Sequence, residues 1–292
     1  MQSATSSLSL LHCASRRPRW AVWWIVLWLL ASSGCALQAG LIPGPKFDHF
    51  ILTNPAARDT SDRRPLHVYL DGDGRAFLDA VTVASDPTPH RVYSAGLLAK
   101  DPGPAVLLGR PCYHGQARGR GCDPRYWTDW RYSEAVVDSL VAVLPALAGE
   151  RDVVLIGHSG GGTLAMLVAQ QQASLSVNSG PRIRGVVTIA ANLDVAAWAH
   201  HHGYTPLGGS LDPASRLTLS NHLPQLHFFG TADQIIPATL SRRLQPSLPL
   251  DSVRWVESDH TCCWVEQWPR LLARASLHLE KVGTLRVERL DR

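Results

Sequence analysis

The 292-residue sequence contains no long run of like charge, no C-x-x-C pair and no internal repeat. The first absence excludes a charged nucleic-acid-binding arm, the second argues against a cysteine-paired zinc site, and the third excludes an array of repeated units. Residues 1–35 hold no acidic side chain, only Arg16, Arg17 and Arg19 as charges. Taking those three from the 28 basic residues leaves 25 against 24 acids, so the body is close to neutral despite a formal net charge of +4. A function resting on a basic surface, for nucleic acid or anionic membrane, finds no support in that balance. With 45% hydrophobic and 18% charged residues, the chain is too apolar for disorder and long enough for one sizeable core.

The N-terminus has the parts of an export signal. Three arginines precede an apolar stretch, Trp20 to Leu30, which gives way to Ala31-Ser32-Ser33-Gly34 and Cys35. A positive region, an apolar core and a small-residue cleavage site occur in that order in such signals. The ending resembles the bacterial lipobox, which implies Cys35 as the lipidated first residue of the mature protein. Ser32 departs from that motif, which usually has an aliphatic residue there. Arg16-Arg17 invites a twin-arginine reading that Pro18-Arg19 continues poorly. A plain signal and an uncleaved anchor stay open, since no charge falls between Trp20 and Pro45. All three readings place the body outside the cytoplasm, in the cell envelope or periplasm, and the lipid anchor ties it to a membrane. The expected organisation is a signal over residues 1–35, a tether over 36–46 and one domain over 47–292.

Cysteine usage fits an oxidising compartment. Cys112 and Cys122 bracket the Gly- and Arg-rich segment PCYHGQARGRGC, which has little apolar material to hold it in place. A disulfide closing it would contribute just under ~3 kcal/mol in the chain-entropy picture. Four body cysteines allow three pairings. Cys262 and Cys263 are expected as free, partly buried thiols, with a vicinal bridge as the alternative.

From about residue 66 to residue 275, short apolar runs alternate with helical patterns. The expected strands are Leu66–Leu70, Ala105–Leu108, Asp152–Ile156, Gly185–Ile189, Gln225–Phe229 and Ser252–Val256, rich in Val, Ile and Leu without clean alternation, as strands buried on both faces should be. The expected helices are Arg91–Lys100, Ser133–Leu147, Gly161–Gln172, Pro237–Leu244 and Cys263–Leu277, with Ser133 as an N-cap. Such alternation gives an α/β fold: a mostly parallel sheet covered on both faces. Phe47–Thr53 is expected to add an antiparallel edge strand, and Asn192–Asn221 reads as a cap excursion with little regular pattern.

Gly157-His158-Ser159-Gly160-Gly161 fits G-x-S-x-G. The apolar strand Val153–Ile156 runs into it and a helical stretch from Thr163 runs out, the setting of a nucleophile elbow. A serine on so sharp a turn lifts its hydroxyl above the sheet, and side chains two residues either side would collide, hence Gly157 and Gly161. The following helix aims amide donors at developing negative charge, so the Gly160 N–H is one expected oxyanion donor. A serine also needs a base, and the base an orienting acid. Asp233 follows the strand ending at Phe229, and His260 follows the strand ending at Val256, in the chain order Ser, Asp, His.

On these residues the sequence resembles the α/β-hydrolase superfamily over roughly residues 47–277: the elbow, F-F-G-T-A-D-Q-I-I-P and S-D-H match its nucleophile, acid and base positions. It also resembles poorly characterised exported bacterial α/β-hydrolases, many of them lipoproteins, through Y-L-D-G-D-G, G-R-P-C-Y, R-Y-S-E-A-V-V, G-H-S-G-G-G, A-A-N-L-D-V-A-A-W, P-L-G-G-S-L-D-P and P-Q-L-H-F-F-G. That likeness implies a Cys112–Cys122 pair and brings no substrate. The superfamily's second oxyanion donor lies after its first parallel strand, which implies the Asp73 amide. The sequence departs there by placing two carboxylates, Asp71 and Asp73, beside a site where an oxyanion forms. Either Arg75 or backbone amides hold them away, or the donor is weakened. D-x-D-G also suggests a calcium loop, but its further ligand positions are missing.

Other readings stand beside these. Asp194 rivals Asp233 as the acid, and Asp259 reads as a turn former. His200-His201-His202 resembles a metal box, yet consecutive helical residues point about 100 degrees apart and no metal is expected. Trp127, Trp130, Trp198, Trp255, Trp264 and Trp268 read as core or cap packing, with the lining of an acyl pocket as the alternative for some. The function expected is a serine hydrolase acting on a small-molecule or lipid acyl ester, with Ser159, His260 and Asp233 as triad and no cofactor. A silent envelope lipoprotein that binds or scaffolds, and an acyltransferase using the same triad, are the alternatives.

Overall fold

The computed structural model describes residues 36–175 and 180–290. The signal expected over residues 1–35, with Cys35, lies outside them. Contacts divide the chain after Ala36, and the unit from Leu37 onward is the body described below. Its strands are β1 (Gln38–Pro43), β2 (Asp48–Thr53), β3 (Leu66–Leu70), β4 (Ala105–Leu108), β5 (Val153–His158), β6 (Ile183–Ile189), β7 (Gln225–Gly230) and β8 (Val253–Val256). Its helices are α1 (Pro55–Arg58), α2 (Tyr93–Leu98), α3 (Glu134–Ala148), α4 (Gly160–Ser174), α5 (Val195–His201), α6 (Leu217–Ser220), α7 (Ala238–Leu244) and α8 (Trp264–Leu290).

One sheet runs in the order β1-β2-β4-β3-β5-β6-β7-β8. Pairing is antiparallel at β1/β2 and β2/β4 and parallel from β4 to β8. The parallel strands bury both faces, which is why they read as continuous apolar runs. Val68, Leu70 and Leu155 join the core under α3 and α4, while Tyr69, Val154 and Ile156 join the core under α2 and α8. Helix α4 is buried from Gly160 to Gln170, so its sequence lacks a polar stripe. Trp264 and Trp268 of α8 are fully buried.

Expectations for the N-terminal edge of the sheet, the excursion after β6 and the cap of α3 are corrected. Residues 36–46, read as a tether, contain β1, whose ladder runs from Gln38–Thr53 to Pro43–Asp48. The apolar Leu41 and Ile42 beside Gly40 gave no alternation to signal it. In consequence β2 is an interior strand, and β1 forms the antiparallel edge. The excursion after β6 holds α5, α6 and a short 3-10 turn, Pro213–Arg216, each too short to show a helical period. Ser133 stands at the N-cap of α3, but its hydroxyl makes no cap bond and is buried without a hydrogen-bond partner.

Cys112 and Cys122 are bonded, as the loop composition suggested. Cys262 and Cys263 are bonded to each other as well, the alternative to the free, partly buried thiols expected, and both are exposed. Among the described residues, no helix is long and apolar enough to cross a membrane.

Candidate active site

Parallel strands end together, so the loops after β3, β5, β7 and β8 meet at one edge of the sheet. Ser159 sits between β5 and α4 with φ 54° and ψ −127°, a conformation that side chains rarely adopt. The turn leaves no room nearby. A Cβ on Gly157 would lie 2.2 Å from the Gly161 carbonyl oxygen, and one on Gly161 would lie 2.1 Å from the Leu70 carbonyl oxygen. The Ser159 amide donates to the Ile189 carbonyl at 2.9 Å, tying the turn to β6.

His260 Nε2 lies 2.9 Å from Ser159 Oγ, and His260 Nδ1 lies 2.9 Å from Asp233 Oδ2. The other oxygen of Asp233 accepts from the Ile235 and Ile236 amides, each at 2.8 Å, which fixes the carboxylate in the turn after β7. Asp233 is 2% exposed, so its interaction with the imidazole is little screened. Asp194 is instead the N-cap of α5, accepting from the Ala197 amide at 2.9 Å. Asp259 accepts from the Thr261 and Cys262 amides and shapes the turn carrying His260.

His158 was not singled out from the sequence. Its Nε2 donates to the His260 carbonyl at 2.9 Å, linking the elbow to the histidine loop. Burial, reinforced by the nearby His260 imidazole, lowers its pKa to about 4, so it stays neutral and can act as a fixed donor near pH 7. Its position inside G-x-S-x-G was visible; its partner, 102 residues away, was not.

The loop 71–74 arches over the elbow. A Cβ on Gly72 would lie 3.3 Å from Ser159 Cβ. Neither expected holder of the two carboxylates is used. Arg75 contacts His90 instead, at 2.7 Å. Asp71 Oδ2 faces His114 Nε2 at 2.9 Å. Asp73 meets Arg110, Arg131 and the Tyr132 hydroxyl. Burial alone would raise the Asp73 pKa, but the two guanidiniums and the hydroxyl hold it down at about 2. Arg110, Tyr113, Arg131 and Tyr132 lie in G-R-P-C-Y and R-Y-S-E-A-V-V, so the motif likeness had pointed at the segments without revealing their target.

Ser159, Gly160 and His260 line a cleft of about 1030 Å³. Its walls come from the loop after β3, from residues 128–131 and from the excursion containing α5, where Trp198 and Tyr204 contribute. Phe77 and Val83 pair across a short hairpin on the rim, and both are exposed, as are Tyr204 and Ile235. Of the three consecutive histidines, His202 bonds the Ile235 carbonyl through Nε2 at 2.9 Å and meets the His201 ring edge-on, with centroids 4.9 Å apart.

The serine hydrolase (FSH1) family model matches residues 129–262, a span that includes Ser159, Asp233 and His260. No curated protein sequence matches the chain. Among solved structures, a bacterial membrane phospholipase A described as a virulence factor aligns with TM-score 0.56 at 12% identity, covering 90% of this chain and 92% of its own. A putative lipase from Acinetobacter baumannii AYE aligns with TM-score 0.54 at 12% identity, covering 89% and 97%. A putative hydrolase from Agrobacterium vitis S4 aligns with TM-score 0.56 at 16% identity, covering 82% and 99%. At these identities the structures report on fold.

Proposed function

We propose, from the premise that the chain is a serine hydrolase of the α/β-hydrolase superfamily, that it cleaves acyl esters through Ser159, His260 and Asp233. The observation that carries this reading is the hydrogen-bonded line Asp233–His260–Ser159, with both links at 2.9 Å, on the floor of an open cleft. In the reaction, Ser159 Oγ attacks the carbonyl carbon while His260 Nε2 takes its proton. Asp233 holds the imidazole in the tautomer that leaves Nε2 free to accept. The amides of Gly160 and Asp73 receive the oxyanion. His260 then protonates the departing alcohol, and a water activated by the same imidazole releases the acid.

The apolar rim of Phe77, Val83, Tyr204 and Ile235 supports an ester with an apolar acyl or alcohol part. The likeness to a phospholipase and a lipase points the same way. The N-terminal pattern, with Cys35, supports an exported protein held at a membrane by lipid.

The test is fluorophosphonate labelling of the full chain in detergent, beside Ser159→Ala and His260→Ala, followed by hydrolysis of an ester series. Labelling and hydrolysis should vanish in both variants. Persistent labelling of Ser159→Ala would show that the nucleophile lies elsewhere. Transfer of the acyl group to an added alcohol in preference to water would identify an acyltransferase.

A further inference from the structure

The loop that carries Asp73 is anchored by buried charge. Arg110 Nη1 donates to Asp73 Oδ1 at 2.5 Å and Arg131 Nη1 to Oδ2 at 3.1 Å. The Tyr132 hydroxyl lies 2.7 and 2.6 Å from the two carboxylate oxygens. Arg110 is 1% exposed and Arg131 8%, so both guanidiniums are desolvated. Each arginine also bonds the backbone: Arg110 Nη2 donates to the Arg131 carbonyl at 2.9 Å, and Arg131 Nε donates to the Thr128 carbonyl at 2.6 Å. Buried ion clusters add little net stability compared with apolar packing, but a fully bonded one fixes its members in one arrangement.

That arrangement touches both expected oxyanion donors. A Cβ on Gly160 would lie 2.0 Å from Asp73 Oδ1 and 2.6 Å from the Tyr132 hydroxyl oxygen, so the anchored carboxylate packs directly against Gly160. The Tyr113 hydroxyl donates to the Asp73 carbonyl at 2.9 Å, fixing the same residue through its backbone. Both carboxylates beside the expected oxyanion site are engaged by other groups, Asp71 by His114 and Asp73 by the two arginines and Tyr132. Asp73 is the end of the anchor, held through both its carboxylate and its carbonyl.

We propose that Arg110, Arg131 and Tyr132 are positioning residues which, through the Asp73 carboxylate, hold the Asp73 amide in place as the second oxyanion donor beside Ser159. This rests on the Ser159 reading above. A loosened donor loop costs the tetrahedral state, which needs both amides, more than it costs the bound ester. The loss therefore falls on kcat, with KM nearly constant.

The experiment compares full-length wild type, Ser159→Ala, Arg110→Met and Tyr132→Phe on p-nitrophenyl butyrate. A phenylboronic acid, which takes up the serine oxygen as a tetrahedral anion, is titrated against each. Arg110→Met should lower kcat about 100-fold, the cost of losing one oxyanion donor, with KM changed less than about threefold and boronate affinity reduced in step with kcat. Tyr132→Phe, which removes one hydroxyl and keeps the ring, should lower both by about tenfold. Wild-type kcat and boronate affinity in the folded variants would overturn the proposal, as would a kcat loss with boronate affinity intact. If Arg110→Met does not fold, Tyr132→Phe decides on the same criteria. Hydrolysis surviving in Ser159→Ala would bring down the underlying reading, and this proposal with it, by a separate arm.

Discussion

At the scale of single residues, the site depends on atoms that have no space to move. Gly160 is the clearest case, because the carboxylate it meets is held by two buried arginines and a tyrosine. Gly160→Ala is expected to destabilise the protein by about 1–3 kcal/mol through overpacking and to lower kcat, read from melting curves and turnover. Gly208 has nothing within 4 Å of an added Cβ, and Gly208→Ala should stay within about 0.5 kcal/mol of wild type. Asp233→Asn should keep the fold and lower kcat by about 10⁴-fold, because an amide at that position favours the wrong imidazole tautomer. Asp194→Ala should cost only the loss of a helix cap, about 1 kcal/mol, with kcat retained. The pair of variants separates the two candidate acids that sequence order alone left open.

At the scale of elements, the segment closed by Cys112–Cys122 carries residues that hold the loop above the elbow. Arg110 lies just before it, and Tyr113 and His114 lie inside it. Replacing both cysteines with serine is expected to lower unfolding free energy by about 2–3 kcal/mol, the chain-entropy value for a loop of this length. The same double variant should lower kcat more than it raises KM, since the loosened segment is the one that fixes Asp71 and Asp73. Denaturation curves and steady-state kinetics check the two halves separately. Strands β3 to β8 were legible in the sequence to within about two residues at each end because burial on both faces writes a plain apolar run. β1 was not, because an edge strand half-facing solvent carries a weaker pattern: only its Ile42 is partly buried, and the rest is exposed.

For the whole molecule, acid sensitivity follows from buried histidines. Burial lowers the pKa of His227 to about 3 and, with the neighbouring His260, that of His158 to about 4; burial also lowers that of His49. Each binds a proton more readily in the unfolded chain, near pH 6.5. Their contribution to stability is therefore complete above about pH 6.5 and declines as pH falls through the depressed folded-state values. Asp73, held at about 2, has the same sign in a lower window: its contribution is present above about pH 3.8 and is lost as pH falls towards 2. The melting temperature should fall steadily between pH 6.5 and 3, with Asp73 adding to the loss below about pH 3.8. His227→Gln, which cannot take up the proton, should flatten that slope whatever it does to stability at pH 7.

The α/β alternation, the G-x-S-x-G turn and the chain order of Ser159, Asp233 and His260 are legible along the chain because they are local: each is a short apolar run, a glycine-crowded turn or a residue just past a strand. Composition marks the segment between Cys112 and Cys122 as one that a disulfide would close, while four body cysteines allow three pairings. The fold settles which of Asp194 and Asp233 faces His260, since both follow strands and only the path of the turn separates them. It also decided what becomes of Asp71 and Asp73. Their partners, His114, Arg110, Arg131 and Tyr132, are between 37 and 59 residues away along the chain. No spacing rule connects a carboxylate to a guanidinium at that distance; the sheet does, by bringing the ends of β3 and β4 side by side.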